Sequence, residues 1–498
     1  MRRFLTGALV CAALAGSAPA QERPSEGDLF GEPPRPEEPA QRPAPVPADG
    51  GKETAEESGA EGRLLSDLAR REDVLKIGGL LYLRSNASAR EHTPPSSWAL
   101  TVPTLTDLYL DARPSDRVRG FVLGRMLFDP TQSAGASLVP GVTLPGGATA
   151  APANPRVLLD QLWLRFDASS IAFLTVGRQH VKWGVGRFWN PTDYLHALRR
   201  DPLAVFDERT GTFMARVNLP WERRGWNLYA LAIFEPLVTQ GVSPFLSTAG
   251  GSTGPAAAAA GTGAGNQLGQ VGAGARAEVV LGGWEIGLDG VAQRGIRPRF
   301  GVDVTGGIWE LDVRGELALR TSSDVPLYRG GLLSATTYEP SGIRPAAVVG
   351  ADWAHKYSDE DSFTVGVEYF FNSNGYSDAT LYPLLVATNA FTPFYLGRHY
   401  AGAYLLLPKP GSWNLHTFTL SVLGNLSDRS AVGRIDWSVT LLTYLQLEAY
   451  LQGHFGTNGG EFRFGIDLPS LAVGGATTPP IFVGAPVADA GLALRLSL

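Results

Sequence analysis

The sequence predicts an all-β fold: a transmembrane, antiparallel, up-and-down β-barrel of about eighteen strands, sixteen being the alternative count. Three observations carry this expectation. From residue 74 onward, apolar and polar residues alternate with period two, the repeat of a strand with two different faces. The connections between these stretches alternate short and long, as in barrels with tight periplasmic turns and extended outer loops. Beyond the N-terminal leader no apolar run is long enough for a spanning helix, and only helices or closed barrels satisfy a backbone inside a bilayer.

The chain opens on a leader, residues 1–20. Arg2 and Arg3 form a basic start, Phe4 to Leu14 an apolar core too short to span, and Ala18-Pro19-Ala20 a small-x-small cleavage pattern. These features predict a cleaved signal peptide and export. The sequence has one cysteine, Cys11, which lies in the leader. No disulfide or thiolate metal site is therefore expected in the processed chain. Residues 21–73 are rich in Pro, Glu and Ala and read as a disordered periplasmic tether, with one short helix expected over Arg63 to Asp73. Such an acidic, Pro-rich tether could dock a periplasmic export partner.

The barrel is expected over residues 74–498. The clearest strand is Trp309 to Arg320, where Trp309, Leu311, Val313, Leu317 and Leu319 alternate with Glu310, Asp312, Arg314, Glu316 and Arg320. Tyr444 to Phe455 repeats the pattern, with Glu448 on its polar face. So does Gly433 to Leu441, with Arg434 and Asp436. Short turns are predicted at Arg113-Asp116, Ala168-Ser170, Trp221-Gly225, Gly282-Gly283, Gly306-Gly307, Lys356-Asp361, Pro408-Ser412 and Leu442-Thr443. Longer links are predicted at 89–104, 130–155, 179–210, 235–268, 295–299, 321–345, 372–399, 425–431 and 457–485. Trp221, Trp226, Trp284, Trp309, Trp413 and Tyr444 fall beside short turns, as an interfacial aromatic girdle requires.

If the apolar face meets outer-membrane lipid, the polar face lines a lumen. Glu310, Asp312, Arg314, Glu316, Arg434, Asp436 and Glu448 are the candidate lining residues, because a hydrated channel relieves most of the cost of burying such charges. The alternative for these mixed signs is an internal ladder of ion pairs that holds the barrel's shape. The segment Gly177 to Gly211 is too polar and Pro-containing for a strand, yet it carries Trp183, Phe188, Trp189, Tyr194 and Phe206. It is expected to fold inward and narrow the pore, with Arg178, His180, Lys182, Arg187, Asp193, Arg199 and Arg200 as constriction residues. Arginines and aromatic rings together suit sugars or anionic solutes.

Gly177-Arg178-Gln179, Trp183-Gly184 and Asn190-Pro191-x-Asp193 resemble a block found in uncharacterised bacterial outer-membrane porin-like barrels. The strand count is similar to that of barrels proposed to complete polysaccharide-export machines. The resemblance implies a barrel and a transport setting, without naming a substrate; separately, the alternating C-terminal strand, Leu492 to Leu498, resembles the terminal signal read by the barrel-insertion machinery, although Leu498 stands where that signal usually has an aromatic residue. The expected function is passage of hydrophilic solutes across the outer membrane. A polysaccharide exit channel and a sealed structural or adhesive barrel are the alternatives. No nucleic-acid partner is expected from a net charge of -6. No enzyme, cofactor or metal is expected either. The seven histidines fall in no nucleophile motif, and neither HExxH nor a phosphate-binding loop is present.

Overall fold

The computed structural model describes residues 74–132, 154–168, 171–196, 199–205, 207–237, 268–323, 325–332, 334–388, 390–468, 472–473, 476–477 and 481–498. The leader, the tether, the helix expected over 63–73 and most of the Gly/Ala-rich stretches at 141–155 and 248–265 lie outside these residues.

Eighteen antiparallel strands pair in sequence order: β1 Leu75–Arg90, β2 Thr104–Ser115, β3 Val118–Phe128, β4 Arg156–Ala168, β5 Ala172–Gln179, β6 Thr212–Trp221, β7 Trp226–Ile233, β8 Gly272–Leu281, β9 Trp284–Gln293, β10 Ile296–Ile308, β11 Leu311–Arg320, β12 Arg344–Lys356, β13 Ser362–Asn372, β14 His399–Pro408, β15 His416–Asn425, β16 Ser430–Leu442, β17 Leu445–Gly456 and β18 Pro486–Ser497. The sheet closes on itself. β1 pairs with β18 from Leu80↔Ser497 to Arg90↔Pro486, and Leu498 exchanges backbone hydrogen bonds with Gly79. Closure leaves no barrel edge unpaired, which is what a bilayer demands of strands.

The period-two pattern sorts residues as expected. Along β11, Leu317 faces outward and is exposed, while Arg314, Glu316 and Ala318 are buried inside. Ile77, Leu108, Val157, Val349, Val367, Ile435 and Leu451 continue the exposed apolar belt around the sheet. Trp221, Trp309, Trp413 and Tyr444 sit exposed at the short-turn end, where an amphipathic ring meets the headgroup boundary.

Two links differ from expectation. The turn predicted at Gly306-Gly307 lies instead at Trp309-Glu310, with Trp309 at φ +54°. Gly306 stays in β10 opposite Trp284, because a Cβ there would lie 2.4 Å from the Trp284 ring. That glycine admits a neighbour's indole and does not turn the chain. The outer link predicted at 295–299 shrinks to Arg294-Gly295, with Gly295 at φ +85°.

Placing Arg at Val349, mid-strand on the lipid face, should destabilise the folded barrel by about 2–4 kcal/mol, whereas Arg at the inward Ser438 should cost much less. Urea titration in lipid vesicles, read by the heat-modifiable gel shift, checks this.

Candidate functional site

The segment between β5 and β6 turns into the barrel and reaches the opposite wall. Two inward carboxylates receive it. The Glu316 carboxylate on β11 accepts the amides of Val185 and Gly186 at 3.0 and 3.1 Å, and the amide and hydroxyl of Thr192 at 2.7 and 2.8 Å. The Glu368 carboxylate on β13 accepts the amides of Arg187, Phe188 and Trp189 at 2.7, 2.9 and 2.9 Å. Clustered N–H donors converging on carboxylates make charge-assisted hydrogen bonds, the strong kind. Two glycines permit this path. A Cβ on Gly184, at φ +87°, would meet the Glu316 carboxylate at 2.6 Å, and one on Gly186 would meet the Trp189 carbonyl at 1.8 Å.

Apolar packing completes the anchor. Trp189 is wholly buried, stacked on Phe370 at 5.7 Å, with its indole N–H donating to the Phe394 carbonyl. Tyr194 donates to the Phe300 carbonyl, and Arg320 donates to the Pro191 carbonyl at 2.7 Å. The returning half is held on the near wall. Glu208 pairs with Arg84 of β1 at 2.9 Å, and its carbonyl accepts Arg125 of β3.

Within the segment, the Asp193 carboxylate accepts Arg209 at 2.7 Å and lies 3.0 Å from His196 Nδ1. Burial alone would raise its pKa, but the charges of His196 and Arg209 outweigh burial and hold it well below the carboxylate range.

The sequence-predicted residues separate into three groups. His180, Arg187, Asp193, Arg199, Arg314, Glu316, Arg434, Asp436 and Glu448 lie inside the barrel. His180 Nε2 is 2.8 Å from Asp160, the Arg187 guanidinium lies 3.7 Å over the Tyr404 ring, and Arg199 donates to the Asp193 carbonyl. Arg314 pairs with Glu368 and Asp352. Arg434 pairs with Asp436 and covers the Tyr450 ring at 4.0 Å, while Glu448 accepts the Tyr82 hydroxyl at 2.7 Å. Lys182 and Arg200 stay on the inward segment, exposed and half-buried respectively.

Arg178 and Glu310 differ from expectation. Arg178 stands in register with the outward-facing Leu162 and Phe213 and pairs with Glu235, so it belongs to the outer face at the long-loop rim. Glu310 is in the Trp309 turn, where it accepts the Trp353 indole N–H, whereas Asp312 keeps the inward parity of Arg314 and Glu316 and is exposed at the short-turn end of the strand. Glu310 left the wall because the turn fell three residues later than predicted.

Most inward charges are spent on one another. Arg276 on β8 bridges Asp289, Asp303 and Glu278, and Arg125 bridges Asp107 and Asp160. Sequence reasoning missed Glu368, although it is the one charged position on the inward face of β13 (Thr364, Gly366, Glu368, Phe370).

A second inward body forms where residues 373–398, with the helix α1 Tyr382–Ala387, pack against 461–466 and Val483 through Tyr382, Leu385, Phe391, Leu396, Phe464 and Ile466. At its base Glu461 is fully enclosed. Its carboxylate accepts the Phe394 amide, the Tyr400 hydroxyl at 2.6 Å and Asn425 at 2.9 Å, and its own amide donates to Asp428. Burial first and Asp428 next push its pKa up to about 8.

No protein-family model matches the chain, and no curated protein matches it. Solved structures of similar fold include OccAB1 of Acinetobacter baumannii, at 9% identity and a TM-score of 0.49 over 85% of this chain and 96% of that one. Pseudomonas aeruginosa OpdK, solved with vanillate, shares 11% identity at a TM-score of 0.46 over 85% and 98%. A BenF-like porin from Pseudomonas fluorescens Pf-5 shares 12% at 0.45 over 85% and 99%.

Replacing both Glu316 and Glu368 by Ala strands six buried amides and a hydroxyl, at about 1–3 kcal/mol for each group left dry. The segment should then detach, and hydrogen exchange across 185–192 should rise by orders of magnitude while the strands stay protected. Asp193 binds its proton more weakly folded than unfolded. Its lock is therefore complete above about pH 4 and lost as pH falls below that range. Glu461 has the opposite sign. Its docking is strongest in acid and weakens as pH rises from its ordinary 4.5 toward about 8. Protection of the Phe394 amide, taken relative to the intrinsic base-catalysed exchange rate at each pH, should fall over that window, and E461Q should flatten the dependence.

Proposed function

We propose that the protein is a bacterial outer-membrane channel that passes small hydrophilic solutes through a polar lumen narrowed by the inward segment 180–211. One observation carries this reading: a closed sheet, apolar outside and charged within, whose interior is crossed by a segment fastened to both walls. An apolar outer belt suits lipid, and an inner wall of Arg, Asp and Glu suits water. The inward charges that keep some exposure include Lys182, Arg187, Arg200 and Arg434 as well as Asp352 and Asp436, so both signs are present, which favours passage by size and local contacts over a strong preference for one sign of ion. On this reading the leader 1–20 directs export, and the barrel-insertion machinery places the strands in the outer membrane.

Full-length processed protein in a planar bilayer should give a small, steady conductance. Deleting 181–209 and joining β5 to β6 by a short Gly/Ser turn should enlarge it several-fold. A silent bilayer in both cases would refute the open channel and leave an export channel that needs a partner, or a sealed barrel.

A further inference from the structure

On β11 and β12, Arg320 and Arg344 are directly paired and both point inward. Like charges directly opposite one another on neighbouring strands repel. Arg199, from the inward segment, lines the same cleft together with Asn374, Thr392 and Tyr395. Arg320 and Arg199 are committed in part, donating to the carbonyls of Pro191 and Asp193. Arg344 differs: its Nε is buried and has no hydrogen-bond partner among the described residues. The Asn374 side-chain oxygen and the Thr392 hydroxyl are also buried without partners there. A cluster of three guanidinium groups beside two unpaired polar oxygens is costly when dry and well matched to a ligand that brings an anion and hydroxyls together.

We propose that this cleft is a binding subsite for a small hydroxylated organic acid. Its carboxylate would sit between Arg344 and Arg320, where a guanidinium fork matches the two oxygens. Its hydroxyls would donate to the Asn374 oxygen and exchange hydrogen bonds with Thr392. The cavity of about 70 Å³ has room for about five waters, or a carboxylate with its first hydroxyl-bearing carbons, the remainder extending into the open lumen. Tyr395, already covered by Arg199 at 5.1 Å, forms one wall. The subsite names a solute class for the proposed channel and rests on that reading for its biological sense, but its occupancy is measured without any current.

The test is calorimetric titration of the refolded, processed full chain with sodium gluconate, acetate, sorbitol and inorganic phosphate. Gluconate should bind saturably and more tightly than acetate or phosphate, and sorbitol should not bind. R344Q should keep the heat-modifiable folded band and weaken gluconate by about tenfold or more. T392V should weaken gluconate while leaving acetate unchanged, which tests the site even if R344Q folds poorly. Absent gluconate binding, equal affinity in the natural sequence and R344Q, or acetate or phosphate binding as tightly as gluconate would each overturn the proposal. Gluconate binding without bilayer current would remove the channel reading and keep the subsite. Current without gluconate binding would do the reverse.

Discussion

Glu316 and Glu368 stand on the inward faces of β11 and β13, and between them they take up the backbone polarity of a segment with no helix or strand among its described residues. An irregular stretch inside a barrel carries unpaired N–H groups, and each would be expensive if left dry. The two carboxylates resolve that problem and have their own burial resolved in turn, since a buried carboxylate needs donors as much as buried amides need acceptors. Arg314 then supplies the counter-charge to Glu368 and passes the network on to Asp352. The position of Trp189 on Phe370, and of Tyr194 under Arg320, follows from this register.

Anchoring at both walls has a consequence for dynamics. The segment is fastened to β11 and β13 on the far side and to β1 and β3 through Glu208 on the near side. Motion of the constriction therefore requires breaking several charge-assisted contacts together, so it behaves as a fixed narrowing within the barrel. The body built from 373–398 and 461–466 is held differently, by an apolar cluster, by contacts such as Tyr382 on Asp428 and Trp189 on the Phe394 carbonyl, and by the Glu461 node. One protonation event at that node changes its docking, which makes it the more responsive of the two inward elements.

The strands were legible because a period-two pattern with a lipid-facing side is stated plainly by Leu311, Val313, Leu317 and Leu319 against Arg314 and Glu316. Inward folding of 180–211 was legible from its aromatic content, which has to be buried somewhere. Its attachment points were not. Glu368 contacts residues some 180 positions earlier, and nothing local to Val367-Glu368-Tyr369 points to them. The misplaced turn has a similar origin. A Gly-Gly pair signals a turn, but Gly306 serves the Trp284 ring on the adjacent strand, a contact that appears only once the register is known. Arg178 was assigned to the lumen by its neighbours in sequence, yet strand parity puts it outside with Val176 and Leu174.

The central claim is that segment 180–211 lies across the lumen against the far wall. Cys11 is the sole cysteine of the sequence, so with Cys11 replaced by Ser a designed pair reports cleanly. Cysteines placed at Arg187 and Tyr404, whose side chains meet at 3.7 Å, should be joined rapidly by a short bismaleimide in the folded, lipid-inserted protein, giving a cross-linked species of altered gel mobility. Failure of that pair to cross-link, in a barrel that is folded by its heat-modifiable shift, would place the segment outside the lumen and contradict the account.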